Sequence, residues 1–192
     1  VTTGTISNNY THGTKGWVVE QGDMTFTGNT WGAGTDANVF DIAILGTVGS
    51  EYYTNIPAMS AANNNAFIED QRYSPARLTP VYVNASAPAC TADCGTARAP
   101  YNKIQDGIDR VIPGGTVNVA AGTYDEENIL ITKGLTLQGA GATNTFIAPT
   151  AVTNNSTVVV QNPSGNVTIS GFNFVMQPKP SYGSAVVVTG TG

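Results

Sequence analysis

Short apolar stretches recur through the second half of the chain: "TVNVA" (116–120), "NILIT" (128–132), "LTLQG" (135–139), "TFIAP" (145–149), "TVVVQ" (157–161), "NVTISGFNF" (166–174) and "SAVVVTG" (184–190). They are rich in Val, Ile and Thr and are set off by Gly, Asn or Pro, which predicts strands separated by turns. The turns lack the repeated two-residue chemistry of hairpins. A continuous winding of short strands is therefore expected instead of an antiparallel meander. Just upstream, "APYNKIQDGIDRVIP" sets Ile104, Ile108, Val111 and Ile112 on one face of a short helix that Pro113 ends.

The first half carries a repeat. "TISNNYT" and "TFTGNTW" place Ile6 and Phe26 in register, and Asn9 and Asn29 after them. "NVTISGFNF" is a looser third relative. A period of about twenty residues suits one coil of a solenoid, and Asn9 and Asn29 would then stack as an internal ladder. "NVFDIAIL" (38–45) offers one more strand. Residues 46–80 lose the rhythm: "IPAMSAANNNAFI" suggests a short helix or irregular cap, and "SPARLTP" a linker into "VYV".

The stretch "YVNASAPACTADCGTARAPYNKIQDGIDRVIPGGTVNVAAGTYDEENILITKGLTLQGAG" (81–141) resembles the N-terminal signature of right-handed parallel β-helix proteins of the pectate-lyase-like superfamily. The resemblance covers about a third of the chain. It implies a short helix capping the first coil, then a GGTV-x-V strand, a GTY turn and an LTLQGAG strand. The expected fold is all-β: a right-handed parallel β-helix (solenoid) with a short capping α-helix in mid-chain. Residues 1–45 would form late coils, 46–80 an irregular closing segment and linker, and 81–192 the capping helix and early coils. Ile104, Ile108 and Val111 would cover the first apolar layer.

Enzymes dominate that superfamily, so the acidic residues matter. Pectin methylesterases use paired Asp residues, but no QDTL-like phrase follows here, and the QDG at 105–107 falls on the expected helix. Pectate lyases bind Ca²⁺ through several carboxylates, a hard-ion site needing many oxygens. The strands of 116–190 carry no Asp or Glu. Asp125, Glu126 and Glu127 share one turn, and Asp23, Asp36 and Asp41 follow no coil period. No catalytic residue, metal ligand or cofactor is assigned. His12, the single histidine, has no nucleophile phrase beside it. Trp17, Trp31 and Tyr10 suit packing, with sugar stacking as the alternative. "EDQR" (69–72) suggests a surface ion pair, which contributes little.

Composition narrows the partners. Charged residues are only 11% of the chain and the net charge is −5. The eight Lys and Arg are scattered, so no basic stripe exists for nucleic acid. The longest apolar runs are far too short for insertion into a membrane as a helix. Cys90 and Cys94 suit a short surface disulfide and an oxidising compartment, with two free thiols as the alternative; a C-x3-C metal half-site lacks further ligands.

Strands at both extremes, "VTTGTISNNY" and "AVVVTGTG", read as one run of coils when written end to start. The expectation is a structural extracellular or cell-surface protein, a repeating unit of a fibre, sheath or adhesin. Its partners would be copies of itself head to tail, or adjacent repeats of a longer chain. The joint would involve Val1, Thr3, Thr5 and Ile6 at one end and Val186, Val187, Val188 and Thr189 at the other. Polysaccharide is a further candidate partner. The alternative function is a carbohydrate-active enzyme or sugar-binding module of the pectin-processing type.

Overall fold

The computed structural model describes residues 2–91, 94–151, 153–176 and 183–190. Its first half repeats one order of strands. β1 (Thr3–Ser7), β2 (Tyr10–Thr11) and β3 (Trp17–Val19) form a first layer; β4 (Asp23–Thr27), β5 (Thr30–Trp31) and β6 (Ile42–Ile44) form a second. Each strand lies parallel to its counterpart, with Ile6 on Phe26, Thr11 on Trp31 and Val19 on Ile44. Alternation decides which side chains face inward. In β4, Phe26 is buried while Thr25 and Thr27 are exposed.

Between β1 and β2, and between β4 and β5, the chain bends through one left-handed residue: Asn8 (φ 55°) and Gly28 (φ 65°). Glycine and asparagine tolerate that region. A Cβ on Gly28 would also collide with Asn8 Oδ1 in the layer above. The corners therefore stack as closely as the strands do.

α1 (Ile56–Ala61) starts at Asn55, whose side chain accepts the Ala58 N–H at 3.1 Å, with Pro57 in its first turn. β7 (Ile68–Asp70) follows parallel to β6, and β8 (Arg77–Thr79) runs antiparallel to β7. Residues 46–80 thus hold two strands that the hydrophobic pattern does not predict, and "SPARLTP" is partly β8 rather than a plain linker. Three residues show no period, and β7 is defined by its register against Ile42 and Ile44 on one side and Arg77–Thr79 on the other.

The second half comprises β9 (Val81–Val83), α2 (Ile104–Arg110), β10 (Thr116–Val119), β11 (Gly122–Tyr124), β12 (Ile129–Gly139), β13 (Thr145–Ile147), β14 (Val158–Ser170), β15 (Asn173–Phe174) and β16 (Val186–Thr189). A five-stranded parallel sheet has the order β16-β14-β12-β10-β9, and a three-stranded one the order β11-β13-β15. Both β12 and β14 bend partway, so each contributes two successive strand positions; register shifts mark the bend between Ile131 and Leu135. Among the described residues the chain is predominantly β, with parallel sheets, two short α-helices and one 3-10 turn at Gly34–Asp36.

α2 lies over β9 and β10, close enough that a Cβ on Gly107 would come within 2.7 Å of Val83 Cγ2. Ile104 and Ile108 are buried beneath it. Val111 is buried in the same core as Ile104 and Ile108 but is not part of the helix, which stops at Arg110: Val111 is an extended C-cap residue that bridges to Leu78. Pro113, two residues on, explains the early stop. Ile112 consequently turns from this core into the core of the first half, which also holds Ile42, Ile44 and Ile68. Leu78 packs in the other core, so the two cores are tied where β8 meets α2. Each fully buried aliphatic side chain contributes about 1.5–3 kcal/mol.

Candidate functional site: two open sheet edges

Each sheet has two end strands. Of these, β4, β5, β8, β9 and β11 lie toward the middle of the chain, and the remaining edges fall into two groups, β14–β16 and β1–β3, with no further strand beside them among the described residues. At one edge, β16 pairs with 158–161 of β14, leaving 166–170 of β14 paired to β12 alone. β15 is likewise the last strand of its sheet. At the other edge, β1, β2 and β3 each pair on one side only. Such edges expose unpaired backbone N–H and C=O groups, which favour pairing with another chain.

The side chains at the first edge are apolar. Val186 and Val188 stack on Val158 and Val160, which are 0% and 5% exposed, yet Val188 itself is 71% exposed. They occupy core positions without a layer above them. Val187 instead stacks on Val159, on the alternate face, and Thr189 on Gln161. Among the candidate joint residues, Val186 and Val188 therefore present the bare apolar face, and Val187 lies on the alternate one. At the second edge Ile6 points inward over Phe26, while Thr3 and Thr5 are exposed. Val1 lies outside the described residues.

The asparagines form a chain of amides. Asn9 donates its Nδ2–H to Asn29 Oδ1 at 3.2 Å and its backbone N–H to the same atom at 3.0 Å. Asn29 passes this on, donating Nδ2–H to Asn63 Oδ1 at 2.8 Å and to Ile6 O at 2.9 Å. Asn63 ends the run on Phe26 O and Met59 O. Asn63 escapes sequence reasoning because it stands in "NNN" just after α1, off the twenty-residue period. Asn29 and Asn63 are fully buried, whereas Asn9 lies at the open edge.

The acidic turn is occupied by structural bonds. Asp125 accepts the backbone N–H and hydroxyl of Thr150, which hold its carboxyl below the usual range. Glu127 accepts from Thr153 Oγ1 and Asn155 Nδ2. Glu126 accepts the N–H groups of Ile104 at 2.7 Å and Gln105 at 3.1 Å, capping α2, whose own N-cap Lys103 makes no side-chain cap. Among the described residues no group of three His, Cys, Asp or Glu is placed to hold a metal. Asp41 is buried with Asn38 and the Phe67 N–H as donors; burial pushes its carboxyl up against their opposing effect.

Glu126 also yields a pH dependence. Burial raises its carboxyl above 4.5, outweighing the two backbone donors that lower it. The folded chain thus binds this proton more readily than the unfolded chain. The associated stability is fully present below pH 4.5 and is lost as pH rises through the raised value. Glu126→Gln removes the titration along with one acceptor oxygen. Its destabilisation, about 0.5–2 kcal/mol as for other helix caps, is expected to be larger near pH 4.5 than at neutral pH. Urea midpoints at both pH values check the sign; a penalty that grows toward neutral pH contradicts it.

Cys90 and Cys94 are joined in a disulfide. Trp31 packs against the first core and donates its indole N–H to Asn63 O at 2.6 Å, and Trp17 packs there too. Tyr10 stacks on His12, with ring centroids 5.3 Å apart. Trp31, Asn38, Asn65, Tyr82 and Arg98 line a cleft of about 510 Å³. No family model, curated protein or solved structure matches the chain.

Proposed function

We propose that the chain is a right-handed parallel β-helix serving as a structural extracellular unit of a surface fibre, sheath or adhesin, assembled end to end through its two open edges. The supporting observation is the exposure of Val188, a residue stacked in line with buried Val160 and Ile131. An apolar core position left bare at a sheet edge favours association. The two edges differ, so each can meet the other kind without closing a ring, and such a contact propagates as a filament. The Cys90–Cys94 disulfide suits an oxidising compartment.

Val188→Lys tests the reading. The side chain is mostly exposed in the isolated chain, so folding stability should change by no more than about 0.5 kcal/mol. Filaments seen by electron microscopy of the parent protein should be lost. Unchanged assembly of the variant, or small monodisperse particles from the parent, would count against end-to-end assembly.

A second reading, a sugar-binding module, draws on the cleft, where Trp31 and Tyr82 supply aromatic surface beside polar Asn38, Asn65 and Arg98. Absence of binding to a panel of polyuronates and neutral glycans would dismiss it.

A further inference from the structure

We infer that two copies of the chain join in one register: residues 166–170 of one copy lie along Thr3–Ser7 of the next, Asn173–Phe174 along Tyr10–Thr11, and residues 186–188 along Trp17–Val19. This rests on the end-to-end reading above and specifies its partner and contacts.

The order of strands supports it first. One edge presents, in chain order, the end of β14, then β15, then β16; the other presents β1, β2 and β3. With one exception, β7 with β8, every strand pair among the described residues is parallel, and each layer is laid on the one before it in chain order. The end of one copy and the start of the next therefore present the same sequence of positions, running the same way.

The corners fix the register. Gly171 is left-handed (φ 79°), as are Asn8 (φ 55°) and Gly28 (φ 65°). Gly171 and Phe172 separate β14 from β15 as Asn8 and Asn9 separate β1 from β2, and as Gly28 and Asn29 separate β4 from β5. One alignment thus satisfies both strands and the bend between them, as it already does for β1–β2 on β4–β5.

Side-chain direction gives the same answer. Val167 and Ile169 stack on buried Leu135 and Leu137, so they face inward. Gly4 and Ile6 occupy the inward positions over Met24 and Phe26. The proposed register sets Ile169 over Ile6 and Thr168 over Thr5. A slip of one residue would turn Ile6 to the outer face. A slip of two would set Gly171 against Ile6 or Tyr10, neither of which has a left-handed backbone. On the third strand, Val186 and Val188 meet Trp17 and Val19, which face inward over Ile42 and Ile44.

Asn9 continues the amide chain across the joint. Its own backbone N–H donates to Asn29 Oδ1 in the layer below. Phe172 holds the equivalent position in the other edge, and its N–H would donate to Asn9 Oδ1 of the next copy. Loop lengths present no obstacle, because the β2–β3 and β5–β6 connections already differ in length while their strands stay in register.

Paired cysteines in the full chain test the register. Thr5 and Thr168 are exposed and face outward, and the native cysteines are already joined to each other. Directly stacked residues would bring their Cα atoms to about 4.8 Å, within disulfide reach. Thr5→Cys with Thr168→Cys should, on mild oxidation, give a ladder of dimers, trimers and longer products on a non-reducing gel. Thr3→Cys with Thr168→Cys, displaced by two residues to about 8 Å, should give less than a tenth of that yield. Equal or better cross-linking by the displaced pair, with filaments still visible, would overturn the register and leave end-to-end assembly standing. Failure of both pairs, with no oligomer on sedimentation, would overturn both.

Discussion

Arg72→Met is expected to destabilise the fold by about 3–5 kcal/mol, the loss that follows when one partner of a buried ion pair is removed. Asp70 sits at the end of β7 with its side chain 1% exposed, and Arg72 is 12% exposed. The guanidinium grips both carboxylate oxygens, Nε to Oδ1 at 2.9 Å and Nη2 to Oδ2 at 2.8 Å. It also donates to the carbonyls of Tyr52 at 2.6 Å and Tyr53 at 3.1 Å. One side chain thus pins the loop after Gly49 to β7. Methionine retains some packing but strands a carboxylate and three carbonyls, that of Gly49 at 3.4 Å included. Exposed Arg98, bonded to Ala37 O, provides the control: Arg98→Met should cost no more than about 0.5 kcal/mol. Urea denaturation of the two variants makes the comparison. A loss under about 1 kcal/mol for Arg72→Met would mean that water reaches the pair.

Asn63→Ala is the second large effect, with an expected loss of about 2–4 kcal/mol from leaving several buried groups unpaired at once. Its Oδ1 receives the Asn29 N–H at 3.3 Å and Nδ2–H at 2.8 Å, and its Nδ2 serves two carbonyls. Alanine removes all four contacts in a site without solvent access. Asn9→Ala, at the open edge, removes only the exposed end of the same run and should cost about 0.5–1.5 kcal/mol in the unassembled chain. Denaturant titrations of both variants measure the gradient. Equal losses would mean that burial does not govern the strength of the amide chain.

The two halves of the fold differ in how much the sequence shows of them. Strands such as 116–119 and 158–161 are local: they are short runs rich in β-branched residues with turn residues nearby, so their pattern is visible within a few positions. The related phrases around Asn9 and Asn29 are visible because one layer repeats in about twenty residues. β7 and β8 are three residues each and are defined by pairing with distant strands. Asp70 and Arg72 suggest a surface pair in the sequence, because "EDQR" is charged; the structure buries them, since the acidic residue falls at an inward position in register with Ile44. Glu126 looks like one of three solvated acids, and only the fold brings it to the start of α2. The alternation of β16 shows Val186 and Val188 as a pair, but which face is bare depends on its pairing with β14.

The waist between the two cores has a mechanical consequence. Hydrogen bonds of a sheet lie across its strands, so a pull applied between the β1 edge and the β16 edge would load them lengthwise instead of shearing them. Layers would then separate in succession, as a zip opens, and the weakest layer would set the tensile strength. At the waist the chain relies on the short antiparallel β7–β8 pair, the Leu78–Val111 bridge and the bonds from Ile112 N–H to Leu78 O and from Arg110 Nε–H to Ala76 O. The long β12–β14 ladder is far better connected. A thread made of such units would yield inside each unit, at its middle, as readily as between units.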